Sequence, residues 1–212
     1  MLVSEKTIER LCLYRRFLRE LRVQRTTYAY SHQLAKMAGL TAAQVRRDIM
    51  AIGYYGSPVR GYEVEKLLES ISDFLDGPDS LGVALIGVGN LGRSILAYLN
   101  RRNSRLNVTA AFDTNPEKIH RVIVSCHCFP LEDYPRVVRE KNIHSTIIAV
   151  PADQAQPVAD LIVKSGVKGI LNFAPVHLSV PEEVFVENID MAIALEKVTY
   201  FAQQDNKARA ER

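Results

Sequence analysis

The sequence predicts an α/β chain in two parts, an N-terminal winged helix-turn-helix domain followed by a Rossmann-type doubly wound parallel sheet. Three observations carry this. The apolar run Val83-Ala84-Leu85-Ile86 breaks into Gly87-Val88-Gly89-Asn90-Leu91-Gly92, and a second apolar run ends on Asp113, 21 positions beyond Gly92. Residues 1–62 hold 11 Lys/Arg against 4 Asp/Glu, whereas residues 63–212 hold 16 against 20. Within the basic part, two helix-period segments meet at a glycine turn. The expected divisions are residues 1–78, 79–192 and a C-terminal helix with a tail over 193–212.

Ser4 can cap a first helix whose apolar positions Ile8, Leu11, Tyr14, Leu18 and Leu21 step by three and four. Arg10, Arg15, Arg16, Arg19 and Arg22 occupy much of its remainder and read as a solvated charged face. After Thr26-Thr27, Ser31 can cap a short helix through Leu34, Ala35 and Ala38, which Gly39 ends. Thr41-Ala42-Ala43-Gln44 then has the spacing of a capping box. On the helix it starts, Ala42, Val45, Ile49 and Ile52 form one stripe; Ala43, Arg47 and Met50 face the other way, with Gln44 and Arg46 at the flanks. Small, amide and guanidinium groups on one face suit a DNA major groove, and an ordinary helical hairpin with a basic edge is the alternative. The Gly/Pro-rich stretch Gly53–Tyr62 reads as the wing, with Arg60 at its tip able to meet phosphate or a minor groove. Expected DNA contacts are therefore Ser31, Thr41, Ala43, Gln44, Arg46, Arg47, Met50 and Arg60. A helix over Tyr62–Leu75 and the turn Asp76-Gly77-Pro78-Asp79 close this part.

In the second part Gly87 permits a tight turn, Gly89 lets a pyrophosphate approach the backbone, and Gly92 lets the next helix pack on the strand. That helix, running to about Arg101, presents its N-terminal N–H groups to phosphates. Asp113 stands where a carboxylate accepts from adenosine ribose hydroxyls and repels a 2′-phosphate, which selects NAD(H) over NADP(H). Further βα units are expected as a helix over Asp133–Asn142, a strand over Ser145–Val150, a helix over Asp153–Ser165 and a strand over Val167–Asn172. The following loops, Val150-Pro151 and Asn172-Phe173-Ala174-Pro175, lie at the carboxyl edge where the cofactor binds. About 20 residues remain, enough for a helix from about Ala192 to Gln204 and too few for a substrate domain. No enzyme is expected; His177 as a catalytic base is outweighed by its reading as a surface loop residue.

With 47% hydrophobic and 24% charged residues the chain has ordinary globular composition. No apolar run approaches the roughly 18 residues of a membrane span, and the start Met1-Leu2-Val3-Ser4-Glu5 has no secretory pattern. Three cysteines make no disulfide framework, so a reducing, cytoplasmic setting is expected. Cys126-His127-Cys128, with His120 nearby, can be a metal or thiol site; as a strand it puts both thiols on one apolar face. No metal site is expected.

The stretches Tyr14-Arg15-Arg16-Phe17-Leu18, Ala43-Gln44-Val45-Arg46-Arg47-Asp48, Gly87–Gly92, Phe112-Asp113, Lys168–Pro175 and Asn188-Ile189-Asp190 together resemble the Rex family of bacterial redox-sensing transcriptional repressors, over essentially the whole chain. The resemblance implies a homodimer with an exchanged C-terminal helix, NADH binding to the sheet domain, and release from a near-palindromic double-stranded operator by NADH while NAD⁺ competes without releasing. It also implies that Arg16, Tyr98 and Asp190 make the contacts that change with cofactor state. A small NAD-dependent dehydrogenase and a nucleotide-sensing subunit without DNA affinity are the rival readings. Two stretches depart from the family pattern. The wing Ser57-Pro58-Val59-Arg60-Gly61-Tyr62 loses a glycine and displaces its positive charge, and His120–Cys128 replaces glycines usual there.

Overall fold

The computed structural model describes residues 3–76, 82–101 and 107–210, and the chain divides into two units, Met1–Ser80 and Leu81–Arg212. The expected turn beyond Asp76 lies outside the described residues.

In the first unit, helix α1 (Glu5–Val23) starts where expected, with the Ser4 side chain accepting from the Thr7 N–H. It buries Leu11, Tyr14, Phe17 and Leu18, the face the periodicity marks. Helix α2 spans Ser31–Ala38 and ends at Gly39 in the left-handed conformation, φ 66°. Its cap is one residue earlier than expected: Ser31 is already helical, and the Tyr30 N–H donates to Gln33 Oε1 at 2.8 Å. Helix α3 (Ala42–Ala51) is capped by Thr41, whose side chain accepts from the Gln44 N–H. The reciprocal half of the expected capping box is absent: the Gln44 amide is turned so that its NH₂ donates to Asp48 and its oxygen accepts from Arg47 instead of the Thr41 N–H.

Two short strands, β1 (Tyr28–Ala29) and β2 (Tyr62–Glu63), pair antiparallel. The helix expected from Tyr62 therefore begins two residues later, as α4 (Val64–Asp76). Pairing of Tyr62 with Ala29 and of Glu63 with Tyr28 decides this, and no local pattern reports it. Between the strands a loop closes through the Ser57–Gly61 bridge and carries Arg60 exposed at its tip. Leu11, Tyr14, Leu18, Leu34, Val45, Ile49, Leu67 and Ile71 form one core linking all four helices.

The second unit is a seven-stranded sheet in the order β5-β6-β4-β3-β7-β8-β9. The strands are β3 (Gly82–Ile86), β4 (Val108–Asp113), β5 (Val122–Ile123), β6 (Cys126–Pro130), β7 (Ile143–Ile148), β8 (Gly169–Asn172) and β9 (Phe185–Asn188). Six run parallel and only the short edge strand β5 is antiparallel. Reading outward from β3, this is the strand order of a dinucleotide-binding sheet, with the direction of winding reversing beside β3. Alternation along the strands sorts the core into two layers: Ala84, Ile86, Ala110, Phe112 and Ile148 meet helices α6 (Tyr134–Glu140) and α7 (Ala152–Lys164). Val83, Leu85, Ala111 and Ile147 meet Leu96 of α5 (Asn90–Arg101). The expected helix at Asp133–Asn142 is shorter and follows a 3₁₀ turn at Leu131–Asp133, and β9 was not anticipated. Helix α8 runs from Met191 to Ala210, further than the expected end near Gln204.

Cys126 and Cys128 are both buried, and burial pushes both thiols up to about 11, so they pack as small protonated apolar groups near neutral pH. Among the described residues no group of His, Cys, Asp and Glu could hold a metal, and no helix is long and apolar enough to cross a membrane.

The β5–β6 hairpin turns on only Val124 and Ser125, both with positive φ, 48° and 64°. A two-residue turn of this kind favours Asn-Gly, and a β-branched residue there is strained. Replacing the pair (Val124→Asn with Ser125→Gly) is expected to stabilise the second unit by about 1–2 kcal/mol, read as a higher thermal midpoint.

Candidate functional site

Two sites emerge, one in each unit. In the second unit, β3 ends at Gly87, whose φ of 95° and proximity to the Ala149 carbonyl leave no room for a side chain. A Cβ on Gly92 would stand 2.0 Å from the Gly87 carbonyl oxygen, so the first turn of α5 sits directly on the turn it follows. A Cβ on Gly89 would meet nothing within 4 Å, because Gly89 borders an open cleft. The three glycines thus have the three separate roles the fingerprint requires.

The cleft is lined by Gly87, Gly89, Asp113, Lys118, Val150 and Pro151, among others. These include five of the residues expected to hold the cofactor, drawn from the ends of β3, β4 and β7. Val88 is buried and contributes its N–H to Asp113 Oδ2 at 2.8 Å. Asn90 and Leu91 open α5, whose N-terminus adjoins the glycine turn. Asn172 is fully buried: its Nδ2 donates to the carbonyls of Ala174 and Val176 and to Asn188 Oδ1, and its Oδ1 accepts from the Ala174 N–H. Its side chain therefore shapes the loop. Ala174 and Pro175 line a second hollow with His177, Asn188 and Asp190, and Phe173 packs against the layer under α5.

Lys118 was missed from sequence. Its Nζ donates to Asp113 Oδ2 at 2.9 Å, so the carboxylate expected to accept from ribose hydroxyls already has a cationic partner. Burial opposes ionisation of Asp113, but the Asn115 N–H, the Lys118 ammonium and the Val88 N–H outweigh it and hold the carboxyl below the ordinary aspartate range. No spacing rule signals a lysine five positions after the acid.

In the first unit, Ala43, Arg46, Arg47 and Met50 are exposed on α3, opposite buried Val45 and Ile49. Arg46 Nη1 donates to Ser31 Oγ at 3.1 Å, joining α3 to the start of α2. Tyr30 Oη donates to the Val59 carbonyl at 3.4 Å, joining that start to the wing. Thr41, Gln44 and Arg60 adjoin the same face or its loop, so all eight expected DNA contacts lie in this unit. The expectation that most of α1's arginines form a solvated face does not hold for Arg10 and Arg15. Arg15 pairs with Asp76, and Arg10 reaches buried Asp48 through Nε (2.6 Å) and Nη2 (2.7 Å). Arg16 is exposed, its guanidinium 5.4 Å from the Phe17 ring centroid. Tyr98 is exposed on α5. Asp190 Oδ1 accepts from the N–H groups of Ala192 and Ile193 and so caps α8.

A basic helix-turn-helix unit joined to a dinucleotide-cleft unit defines the class of ligand-responsive DNA-binding proteins. The family model described as putative DNA-binding protein N-terminus matches residues 2–49, and that described as CoA binding domain matches residues 78–176. A redox-sensing transcriptional repressor Rex from Desulforamulus reducens is 36% identical over 198 residues, 93% of this chain and 94% of that protein. One from Carboxydothermus hydrogenoformans is 38% identical over 203 residues, covering 96% and 98%. A crystal structure of RSP, a Rex-family repressor, in complex with β-NAD⁺ and operator DNA is similar with a TM-score of 0.88 at 31% identity, covering 99% of this chain and 97% of that one. RSP in complex with β-NADH gives 0.84, covering 100% of both. The chain belongs to the Rex family of redox-sensing transcriptional repressors. Its relatives are named as repressors and not as enzymes.

Burial of Asp48 opposes its ionised form, yet hydrogen bonds from Arg10, Tyr14 and Gln44 hold its carboxyl below the ordinary range. Its contribution is therefore fully present above the unfolded value near ~4 and is lost as pH falls through the lower folded value. Asp48→Asn is expected to cost about 1–3 kcal/mol at neutral pH and to shrink the acid-induced loss of stability, measured by urea unfolding from pH 7 to pH 3.

Proposed function

We propose that this chain is a cytoplasmic, homodimeric transcriptional repressor that senses the NADH/NAD⁺ ratio. NADH binds the second unit and releases the first from a near-palindromic double-stranded operator, while NAD⁺ competes without releasing it. The observation that carries this reading is the pairing in one chain of a basic α3 face with a glycine cleft closed by Asp113, and the RSP complex with β-NAD⁺ and operator DNA supports it. The division into a DNA-binding part over 1–78, a cofactor-binding part over 79–192 and a dimer-exchange segment over 193–212 belongs to the same reading.

The backbone of Gly87-Val88-Gly89-Asn90-Leu91-Gly92 at the α5 N-terminus would hold the cofactor's pyrophosphate, and Asp113 its adenosine ribose. Val150-Pro151 and the loop Asn172–Pro175, which the buried Asn172 amide shapes, would hold the nicotinamide end. When bound, the dinucleotide supplies no chemistry here beyond its oxidation state, read as charge. Arg47 faces the major groove, and Ser31, Thr41, Ala43, Gln44, Arg46, Met50 and Arg60 complete the contact with bases and backbone. Dimer exchange is favoured by α8, on which Met191, Ile193, Leu195, Val198, Tyr200 and Phe201 are 59–65% exposed in the single chain. A second copy is the occupant this apolar surface fits.

For the switch, Asp190 exchanges partners between the guanidinium of Arg16 and the phenol of Tyr98 as cofactor state changes. Moving such a pair of states from 1:99 to 99:1 takes about 5.5 kcal/mol of differential NADH binding.

Two measurements test this. NADH titrated into operator-bound protein should release it while NAD⁺ does not, and operator should weaken NADH binding by the same factor. Arg16→Ala and Asp190→Asn, the latter keeping the α8 cap, should each reduce that coupling, with the double variant little worse than either. Wild-type coupling in both single variants would place the switch elsewhere. Separately, Gly89→Ala should leave the thermal midpoint unchanged but weaken NADH binding tenfold or more (about 1.4 kcal/mol), whereas Gly92→Ala should destabilise the whole unit. Equal effects on stability would refute the cleft assignment.

A further inference from the structure

The two side chains of α3 best placed to read bases are not independent of each other or of α1. Arg47 Nη2 donates to Gln44 Oε1 at 2.7 Å, and Gln44 Nε2 donates to Asp48 Oδ1 at 2.8 Å. Asp48 is 3% exposed and takes two hydrogen bonds on each oxygen. Oδ1 accepts from Arg10 Nη2 and Gln44 Nε2, and Oδ2 accepts from Arg10 Nε and from Tyr14 Oη at 2.9 Å. Arg10 Nη2 also donates to Thr7 Oγ1 at 3.0 Å, which fixes the guanidinium on its own helix.

The direction of this chain of bonds follows from charge. A carboxylate can only accept, so Gln44 must turn its NH₂ toward Asp48. Its carbonyl then points away along the helix, where it receives Arg47. With the amide reversed, two oxygens would face each other against a buried negative charge, and Arg47 would meet an NH₂ it cannot donate to. One buried acid thereby decides the amide orientation, and the amide decides where the exposed guanidinium rests. Of the two groups that clamp the acid, Tyr14 is fully buried and Arg10 has a side chain 20% exposed. Both belong to α1 and neither lies on the outward face of α3.

We propose that Asp48, clamped from α1 by Arg10 and Tyr14, is a positioning residue for sequence readout, holding Gln44 and through it Arg47 in the one arrangement that presents a preorganised guanidinium to a base pair. The proposal rests on α3 being the recognition helix. It adds that selectivity at the base pair read by Arg47 is set in part by two side chains of another helix. Preorganisation of this kind raises discrimination because a correct base meets a donor fork already in place, while sequence-independent phosphate contacts gain nothing from it.

The test uses the full-length protein with Tyr14→Phe, which removes one hydroxyl at unchanged shape, and Arg10→Lys, which keeps the charge and loses the two-point clamp. Arg47→Ala first identifies the base pair it reads, by affinities for operators substituted at each position. At that base pair the two variants should lose about threefold to tenfold in discrimination. Their affinity for unrelated DNA, the salt dependence of binding and the NADH affinity should stay at parental values. Parental discrimination in Tyr14→Phe, or an equal loss on operator and unrelated DNA, would reduce the cluster to a structural clamp and overturn the proposal. Arg10→Lys requires the same outcome if it folds, and Tyr14→Phe decides alone if it does not. If Arg47→Ala changes preference at no base pair, the recognition-helix reading fails and the proposal falls with it, an outcome separate from readout by Arg47 without positioning.

Discussion

The second unit depends on a single close approach, the backbone of Gly92 against the carbonyl oxygen of Gly87. With a Cβ there only 2.0 Å from that oxygen, any other residue would push α5 off the turn. The absence of a side chain at Gly92 lets the helix N-terminus reach the carboxyl edge of β3, beside the point where the sheet reverses its winding. The cleft exists because of that placement, and the open space over Gly89 is its floor. Asp113 then ties the end of β4 to the same turn through the Val88 N–H, so the loops after two neighbouring strands hold each other in register.

Both units are organised around a buried carboxylate whose desolvation is met by several donors. In the first unit Asp48 is satisfied by Arg10, Tyr14 and Gln44; in the second Asp113 is satisfied by two backbone N–H groups and Lys118. A buried acid without partners costs far more than an apolar group, so each site is stable only in the geometry that supplies all its donors. That requirement couples stability to function. Asp48 holds Gln44 on α3 and Asp113 holds the glycine turn at Val88, so each acid fixes the backbone or side chains of its proposed site.

The most legible features in the sequence were those whose physics is local. Ser4 and Thr41 cap helices because a side-chain oxygen reaches an N–H three residues on, and Gly39 ends a helix because it tolerates φ 66°. Strand β3 covers the expected run Val83–Ile86 because an uninterrupted apolar run covered on both faces reads the same at any position in a parallel sheet. Less legible were features decided by distant partners. Strand β2 replaced the first two residues of an expected helix because Tyr62 and Glu63 found Ala29 and Tyr28. The Gln44 carbonyl oxygen accepts from Arg47 in place of the N-cap N–H, and Arg10 and Arg15 left a presumed solvated face for Asp48 and Asp76.

By itself the sequence determined the main helices and the central strands, the faces they bury and the chemistry of the glycine turn, since each follows from steric and hydrogen-bonding rules that act within about a helical turn or one strand pleat. Tertiary structure alone decided which charges are paired. Arg15 reaches Asp76 and Arg10 reaches Asp48 only once folding has brought the segments together, and a carboxylate takes its value as ligand, clamp or cap from the donors that surround it. Sequence names the charged groups, whereas their partners are set by distances that exist only in the folded chain.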